Sequence, residues 1–241
     1  AAPNGLWRLE IRNMPAQMSY SNAISAGEVV LDAQNRLRDI GPCPAIACLS
    51  AGTTRVAEAG NDAMVSWGRW TEGSTQLSFL GVNVATPYSA NQGMHYLVGT
   101  PVVSLPTPGT FRYELLGATR PTTQDGSLAP GSFSGQAVVQ FASGQSARVG
   151  LSAQVGIGAA QYGFQTNGGL ANVSNSQLRV ATDYGISGEI AFSGNACNGG
   201  RCLATVSGGL FGPGGERLGV SYSINPGANS TRIDGVAVFK R

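Results

Sequence analysis

Alternating apolar and polar positions run through the second half of the chain and predict β-strands. Phe111, Tyr113 and Leu115 would lie on one face of such a strand, and Arg112 and Glu114 on the other. The same period of two recurs between turn residues. It predicts strands at 111–117, 132–141, 147–155, 160–166, 185–192, 202–211, 217–224 and 232–239. Eight antiparallel strands suffice to close a barrel whose interior side chains fill it.

The first 92 residues have a different sequence pattern, because tryptophans and short strand-like segments alternate with irregular stretches. We expect a smaller, strand-rich companion module there. The polar stretch that ends at Gly93 is a plausible link, since the apolar run 94–98 follows it. The predicted fold is therefore all-β, with a module at 1–92 and an antiparallel barrel at 93–241.

Composition supports short strands joined by tight turns. The chain has 241 residues with 35 glycines and 12 prolines, and 42% of its residues are hydrophobic. Only 12% are charged and the net charge is +2, so neither a basic stripe for nucleic acid nor an acidic tail is expected. Every apolar run is shorter than the roughly 20 residues of a membrane-spanning helix. The small residues Ala1-Ala2-Pro3 are typical of a start left by removal of a signal peptide or by trimming of the chain, and we interpret the chain as mature.

The four cysteines form two sequence-local pairs, Cys43 with Cys48 and Cys197 with Cys202. The second pair flanks an Asn-Gly-Gly turn at 198–200, which would bring two strand ends together. A four-thiolate zinc site and free thiols are the alternatives. Two disulfides are the favoured interpretation, and they predict export to an oxidising compartment.

His95 is the single histidine, and it lies between Met94 and Tyr96, so that all three are conceivable haem ligands. The alternative, which is the more common case for a lone histidine at the start of a strand, is a polar residue that points outward or a residue with a satisfied hydrogen bond. One histidine does not suffice for a two-histidine mechanism or a catalytic zinc, and no metal site is expected. Serines and carboxylates show no catalytic pattern, because the motif at 131–135, GSFSG, lies inside a strand and the acidic residues are scattered. We therefore predict a protein that is not an enzyme.

The segment Trp67-Gly68-Arg69-Trp70 is typical of recognition surfaces, where tryptophan and arginine supply large contact areas. The alternative is that the tryptophans pack the module against the barrel, and this is the favoured interpretation. Trp67, Arg69, Trp70, His95 and Tyr96 are the candidate binding residues.

The end of the chain resembles the barrel domains of the transferrin-binding protein B family. The resemblance is carried by VSGGLFGPGGERLG at 206–219, VSYSI at 220–224 and GVAVFKR at 235–241. In that family an aromatic-Gly-Pro turn and a Glu-Leu-Gly group join the last strands. Here Arg217 stands between the glutamate and the leucine, and Val220 replaces a second glycine.

The resemblance implies a barrel paired with a smaller handle domain on a Gram-negative surface or secreted protein, a group that includes secreted haem-capturing, haemophilin-like proteins. We therefore expect an exported binding protein that captures a host protein, haem or an envelope component through the barrel-mouth loops and the handle. It would be at the cell surface, secreted or periplasmic, and no lipidatable cysteine begins the chain.

Two alternatives to this function remain. One is a periplasmic structural or sensory domain without a small ligand. The other is an integral outer-membrane barrel with Arg112, Glu114, Arg148 and Glu189 in a polar core.

Overall fold

The computed structural model describes residues 6–13, 19–41, 47–79, 82–142, 146–181, 185–194, 197, 202–227 and 231–241. Within these ranges the regular structure consists of β-strands and two 3₁₀ turns, Ala26–Glu28 and Val173–Asn175. No helix in the described ranges has the length and apolar character needed to cross a membrane. The predicted turn at 198–200 and the chain start at 1–3 lie outside the described residues.

Ten strands form two five-stranded antiparallel sheets before residue 100. They are β1 (Leu6–Arg12), β2 (Tyr20–Ser25), β3 (Val29–Leu31), β4 (Leu37–Ile40), β5 (Ala47–Ser50), β6 (Arg55–Asn61), β7 (Val65–Thr71), β8 (Gly73–Phe79), β9 (Val82–Tyr88) and β10 (Met94–Gly99). Pairing orders one sheet, here called the inner sheet, as β2-β1-β10-β7-β6. The other, called the outer sheet, has the order β3-β4-β5-β8-β9.

The two sheets pack face to face as a sandwich around one apolar core. Trp70 and Tyr96 of the inner sheet lie in this core with ring centroids 5.8 Å apart, and Leu49 of the outer sheet belongs to the same cluster. The Trp70 indole Nε1–H donates to the carbonyl oxygen of Leu37 at 3.0 Å. This bond ties the two sheets together and satisfies the buried polar end of the indole.

The remaining ten strands form the barrel. They are β11 (Gly109–Ala118), β12 (Thr122–Thr123), β13 (Ser132–Phe141), β14 (Arg148–Ile157), β15 (Ala160–Gln165), β16 (Arg179–Val180), β17 (Gly185–Gly194), β18 (Cys202–Phe211), β19 (Arg217–Asn225) and β20 (Ile233–Lys240). Eight long antiparallel strands close the cylinder because β11 pairs with both β13 and β20. The eight predicted strands are confirmed, and the short strands β12 and β16 are additions that the sequence did not indicate.

The barrel interior is filled by apolar side chains. The Tyr222 ring stacks on Phe133 at 5.4 Å between centroids and also contacts Phe164 at 6.2 Å. Phe133 contacts Phe239 edge-on at 6.3 Å. These rings come from β13, β15, β19 and β20, so contacts between aromatic side chains cross the lumen.

The polar side chains of the strands are on the outside of the barrel. Arg112, Glu114 and Glu189 are exposed, and half-buried Arg148 donates a hydrogen bond to the carbonyl oxygen of Ser176 at 2.7 Å. The interpretation that places these four residues in a polar core is therefore wrong, since the inward positions belong to the hydrophobic cluster.

Strand pairing places β10 in the sandwich, although residues from 93 onward were predicted to belong to the barrel. β10 lies between β1 and β7 in the inner sheet, and the first long barrel strand begins only at Gly109. The chain therefore changes from one sheet system to the other between residues 99 and 109, later than the predicted boundary at 92. A largely apolar strand without clear alternation, such as β10, fits equally well into either sheet, and the sequence does not tell them apart.

The inner sheet is the middle layer of three. One face packs on the outer sheet, and the other packs on the outside of the barrel wall formed by β18, β19 and β20. A second apolar cluster lies at this contact, formed by Val65, Trp67 and Leu97 of the sandwich with Phe211, Val236 and Val238 of the barrel. The barrel and the sandwich thus share an apolar contact.

One predicted disulfide is confirmed, since Cys197 and Cys202 are bonded with their Cα atoms 5.1 Å apart. The zinc alternative is wrong for this pair. Cys48 is also disulfide-bonded. Its predicted partner Cys43 lies outside the described residues, so this pairing stays a prediction.

Replacing Phe239 tests the filled lumen. Phe239→Ala should lower the free energy of unfolding by about 3–5 kcal/mol, because it removes a fully buried ring and leaves a void beside Phe133. Denaturant melts measure the loss. Leu203→Ala, at a position that is 56% exposed on the same barrel, is the matched control and should change the value by less than about 0.5 kcal/mol. Equal effects of the two changes would contradict a packed interior.

Candidate functional site

The five predicted binding residues lie together on the neighbouring strands β7 and β10. Arg69 pairs with His95, and Gly68 with Tyr96, in the antiparallel register. All five side chains are buried, with exposures between 0% and 7%. The structure thus brings the two predicted segments together, but inside the molecule rather than on a surface.

The cluster divides between the two faces of the inner sheet. Trp70 and Tyr96 point into the sandwich core, whereas Trp67 points toward the barrel. The Trp67 ring approaches the backbone of barrel residue Gly117 so closely that a Cβ added there would lie 2.4 Å from its Cζ2 atom. Glycine at this position therefore makes room for the indole. Trp67 packs the module against the barrel, which is the alternative that the sequence analysis favoured.

His95 links the inner sheet to the barrel through two hydroxyl groups. Its Nδ1 is 2.7 Å from Thr119 Oγ1, and its Nε2 is 2.8 Å from Thr122 Oγ1. Complete burial, together with the nearby charge of Arg69, lowers the pKa of His95 well below its ordinary value, so the ring is neutral. Haem ligation by His95 stays a prediction, and this geometry gives it no support because both ring nitrogens are in hydrogen bonds.

Arg69 holds the turn before β10. Its guanidinium binds both carboxylate oxygens of Glu58, at 2.7 and 2.8 Å. A further N–H group donates to the carbonyl oxygen of Gln92 at 2.7 Å. These bonds satisfy a buried cation and fix the connection between β9 and β10. The contacts of Arg69 in this conformation are therefore structural.

A group of charged residues on β1 was not predicted as a site. Arg8, Glu10 and Arg12 occupy alternate positions of that strand and face the barrel, where they meet Ser207 and Ser221. We call these five residues the charged ladder. Their charged groups lie in the interface between the two modules, and Glu10 is fully buried.

Hydrogen bonds satisfy the charged ladder across the interface. Arg8 Nε donates to the carbonyl oxygen of Gly208 at 2.7 Å and to Glu10 at 3.1 Å. Glu10 accepts from Ser207 at 2.8 Å and from Ser221 at 3.1 Å. Arg12 donates to the same two hydroxyls at 2.6 and 3.1 Å. Because these bonds join particular residues of β1 to particular residues of β18 and β19, they hold the sandwich in one position on the barrel.

Burial dominates the electrostatics of this interface. It raises the pKa of Glu10 above its ordinary value, although Arg8 and the neighbouring serine hydroxyls act in the opposite direction. Asp234 of β20 is completely buried nearby, and burial raises its pKa too, against the effects of Arg232 and Ser223. Burial likewise lowers the pKa of Arg12. Each shift reports the cost of removing a charge from water.

No cluster of three or more histidine, cysteine, aspartate or glutamate side chains with the geometry of a metal site occurs among the described residues. The buried carboxylates of the interface instead have serine and arginine partners. The arrangement provides rigid attachment between two modules.

Comparisons with known proteins give structural matches alone, since neither a family model nor a curated protein matches the chain. A mutant of transferrin binding protein B from Haemophilus parasuis matches with a TM-score of 0.41 and 12% identity. Isotype 1 of transferrin binding protein B from serogroup B Neisseria meningitidis and intact Ap-TbpB, with its N and C lobes, each match with a TM-score of 0.42 and 13% identity.

Each of these alignments covers 98% of this chain and 43–46% of the solved structure, so the chain spans less than half the length of these proteins. The matched structures are transferrin binding proteins B, the family that the last barrel strands resemble in sequence.

The two tryptophans of β7 provide a test of packing against recognition. Trp67→Ala and Trp70→Ala should each lower the free energy of unfolding by about 3–5 kcal/mol, because each removes a buried indole. Thermal or denaturant melts measure this, with Val82→Ala, at a position 62% exposed, as the control. Unchanged melting temperatures together with lost ligand capture would show that the tryptophans serve recognition instead.

Glu10→Gln tests the electrostatics of the charged ladder. A carboxyl whose pKa is raised by folding stabilises the folded state below its ordinary pKa of 4.5, and this contribution disappears as pH rises through the folded-state pKa. The unmodified chain should therefore lose stability relative to Glu10→Gln as pH is raised from about 4.5 toward neutrality, by at most about 1.4 kcal/mol per pH unit. Denaturant melts of both chains across this range measure the difference. A difference that grows in favour of the unmodified chain would contradict the raised pKa.

Proposed function

We propose that the chain is an exported Gram-negative binding protein that captures a host protein or an envelope component on its outer surface. The filled barrel is the observation that carries this proposal. Tyr222 contacts Phe133 and Phe164 across the lumen, where a small-molecule ligand of a hollow barrel would lie. A ligand that uses the outside of two joined modules is most simply a macromolecule.

The fixed interface between the modules supports this function. The charged ladder, the Trp67 contact and an ion pair between Arg217 and Asp62, at 2.6 Å, all join the barrel to the sandwich. Surfaces on the two modules are thereby held at a constant distance and angle. Such preorganisation reduces the entropy lost when a large partner binds both modules at once.

The loop at 100–108, here called the mouth loop, provides an apolar contact surface at one barrel end. Val102 is buried in the barrel core, and the backbone N–H groups of Val103 and Ser104 donate to the carbonyl oxygen of Pro213. The side chains of Val103 and Leu105 are 51% and 40% exposed. Apolar side chains on a backbone that is fixed in this way are suited to protein contact.

Export is supported by the cysteines. Cys197 and Cys202 are bonded, and Cys48 is in a disulfide as well. Disulfides of this kind persist in the periplasm and outside the cell and are rare in the cytosol.

Capture experiments test the proposal. The immobilised chain is exposed to serum and to periplasmic extract, and the affinity for a protein that it retains is then measured by calorimetry. A double variant with Val103→Glu and Leu105→Glu should bind at least about tenfold more weakly, because it places two charges in an apolar contact. Leu128→Glu, in the loop at the other end of the barrel, is the control and should bind normally.

Adding haem to the purified chain tests the competing ligand. The filled lumen and the hydrogen-bonded His95 lead us to expect no Soret band. A band that disappears in a His95→Ala chain that stays folded would contradict surface capture of a macromolecule as the main function.

A further inference from the structure

Two arginines lie directly opposite each other on the barrel wall. Arg148 of β14 pairs with Arg179 of β16 in the antiparallel register. On one side of the pair the Val149 N–H donates to the carbonyl oxygen of Leu178 at 3.0 Å, and a matching backbone bond of 2.8 Å lies on the other side. This pattern is that of a non-hydrogen-bonded pair, whose Cα atoms are about 4.5 Å apart and whose side chains approach most closely.

Both arginine side chains point away from the lumen, because the residues before and after each of them belong to the barrel core. Arg179 is exposed and Arg148 is half-buried. The same outward row continues to Gln140 on β13 and to Ser187 on β17. We call Gln140, Arg148, Arg179 and Ser187 the arginine row. It consists of two cations between two neutral side chains that form hydrogen bonds.

The segment 166–178 lies beside the arginine row, against the outer side of β14. Its buried Val173 covers Gly150, where an added Cβ would lie 3.0 Å from Val173 Cγ2. The Arg148 Nη1 donates to the carbonyl oxygen of Ser176 in this segment at 2.7 Å. This bond restrains the guanidinium of Arg148, so that its charge stays in the row instead of moving freely through solvent.

Within the described ranges, the two arginines have no carboxylate as an ion-pair partner. The ion pairs in these ranges are Arg8–Glu10, Arg36–Asp32, Arg55–Glu72, Arg69–Glu58, Arg217–Asp62 and Arg232–Asp234. Glu189 is exposed on the same strand as Ser187, two residues further along, and it belongs to none of these pairs. Like charges directly opposite each other destabilise a sheet, so an anion bound between the arginines would remove a repulsion.

Two adjacent guanidinium groups match a tetrahedral oxyanion better than a carboxylate. Each guanidinium presents its N–H groups as a planar fork that can bind two oxygens at once. A carboxylate has two oxygens, and one fork can occupy both. A phosphate or sulfate monoester has three terminal oxygens and can face both forks together. The side-chain amide of Gln140 provides a further donor next to Arg148.

We propose that the arginine row binds the terminal group of a phosphate or sulfate monoester. Arg148 and Arg179 bind its oxygens with both guanidinium groups, and Gln140 donates a further hydrogen bond. The two esters share this chemistry, since each has three equivalent terminal oxygens and negative charge. The inference goes beyond the proposed function, because the site uses no residue of the mouth loop and does not require capture of a macromolecule.

Titration of the ¹⁵N-labelled chain tests the site directly through the arginine side-chain signals. Phenyl phosphate and phenyl sulfate are the probes, and benzoate is the carboxylate comparison, all at constant ionic strength. We expect at least one ester to shift the Nε–H signals of Arg148 and Arg179 with a dissociation constant of about 1–10 mM, and benzoate to bind at least about tenfold more weakly. Comparison of the two esters shows which anion the site prefers. Absence of saturable shifts for both esters at about 50 mM, or benzoate binding as tight as theirs, would overturn the inference.

Single substitutions separate a specific site from general attraction of anions to positive charge. Arg179→Gln should weaken ester binding at least about tenfold, because it removes one of the two forks. Arg179→Lys keeps the charge without the fork, and its affinity should lie between those of the unmodified chain and Arg179→Gln. Arg112→Gln, which removes the same charge from an exposed position of β11, is the control and should change the affinity less than about twofold. Equal effects of Arg112→Gln and Arg179→Gln would overturn the inference.

Thermal melts provide a second measurement on the same chains. Without ester, Arg179→Gln should melt at a temperature no lower than that of the unmodified chain, because it removes a like-charge contact. Addition of the ester that binds more tightly in the titration should raise the melting temperature of the unmodified chain more than that of Arg179→Gln, since a ligand of the folded state stabilises it. An equal rise in both chains would overturn the inference.

Discussion

Burial on both faces of β1, β10 and β7, the three central strands of the inner sheet, is the constraint on which the rest of the structure depends. One face supplies half of the sandwich core, and the other covers the barrel wall. Every side chain on β7 and β10 must therefore fit an interior, whatever its chemistry. Trp67 fits because Gly117 leaves space, and His95 fits because two threonines occupy its ring nitrogens. A segment that looks like a recognition surface thus becomes a packing element.

The barrel could be predicted because its strands alternate, but the three-layer arrangement could not. On β1, Leu9 and Ile11 alternate with Arg8, Glu10 and Arg12, which is the pattern of a strand with one solvated face. Only the tertiary contact with Ser207 and Ser221 covers that polar face. The apolar run 236–239 in β20 is a clearer signal, since a strand with both faces apolar is expected to be buried on both sides. The sequence does not say what would cover it.

The charged ladder makes the interface less stable than an apolar one could be, but it fixes the relative position of the two modules. Replacing buried ion pairs by apolar side chains of similar volume often stabilises a protein, and the raised pKa of Glu10 shows that burial is costly here. The apolar contact through Val65, Trp67 and Leu97 supplies attraction but few directional restraints. Hydrogen bonds from Arg8, Glu10 and Arg12 to specific barrel groups supply the direction. Together they give an interface that is both attractive and specific in register.

The positions of these interactions determine which surfaces of the protein can change to bind a ligand. The lumen is occupied by aromatic rings and the module interface by charges whose partners cannot be removed singly without leaving a buried charge unsatisfied. Changes in the mouth loop disturb neither, because the side chains of Val103 and Leu105 are exposed to solvent. Ligand contacts can therefore vary at this loop while the frame that supports it stays constant.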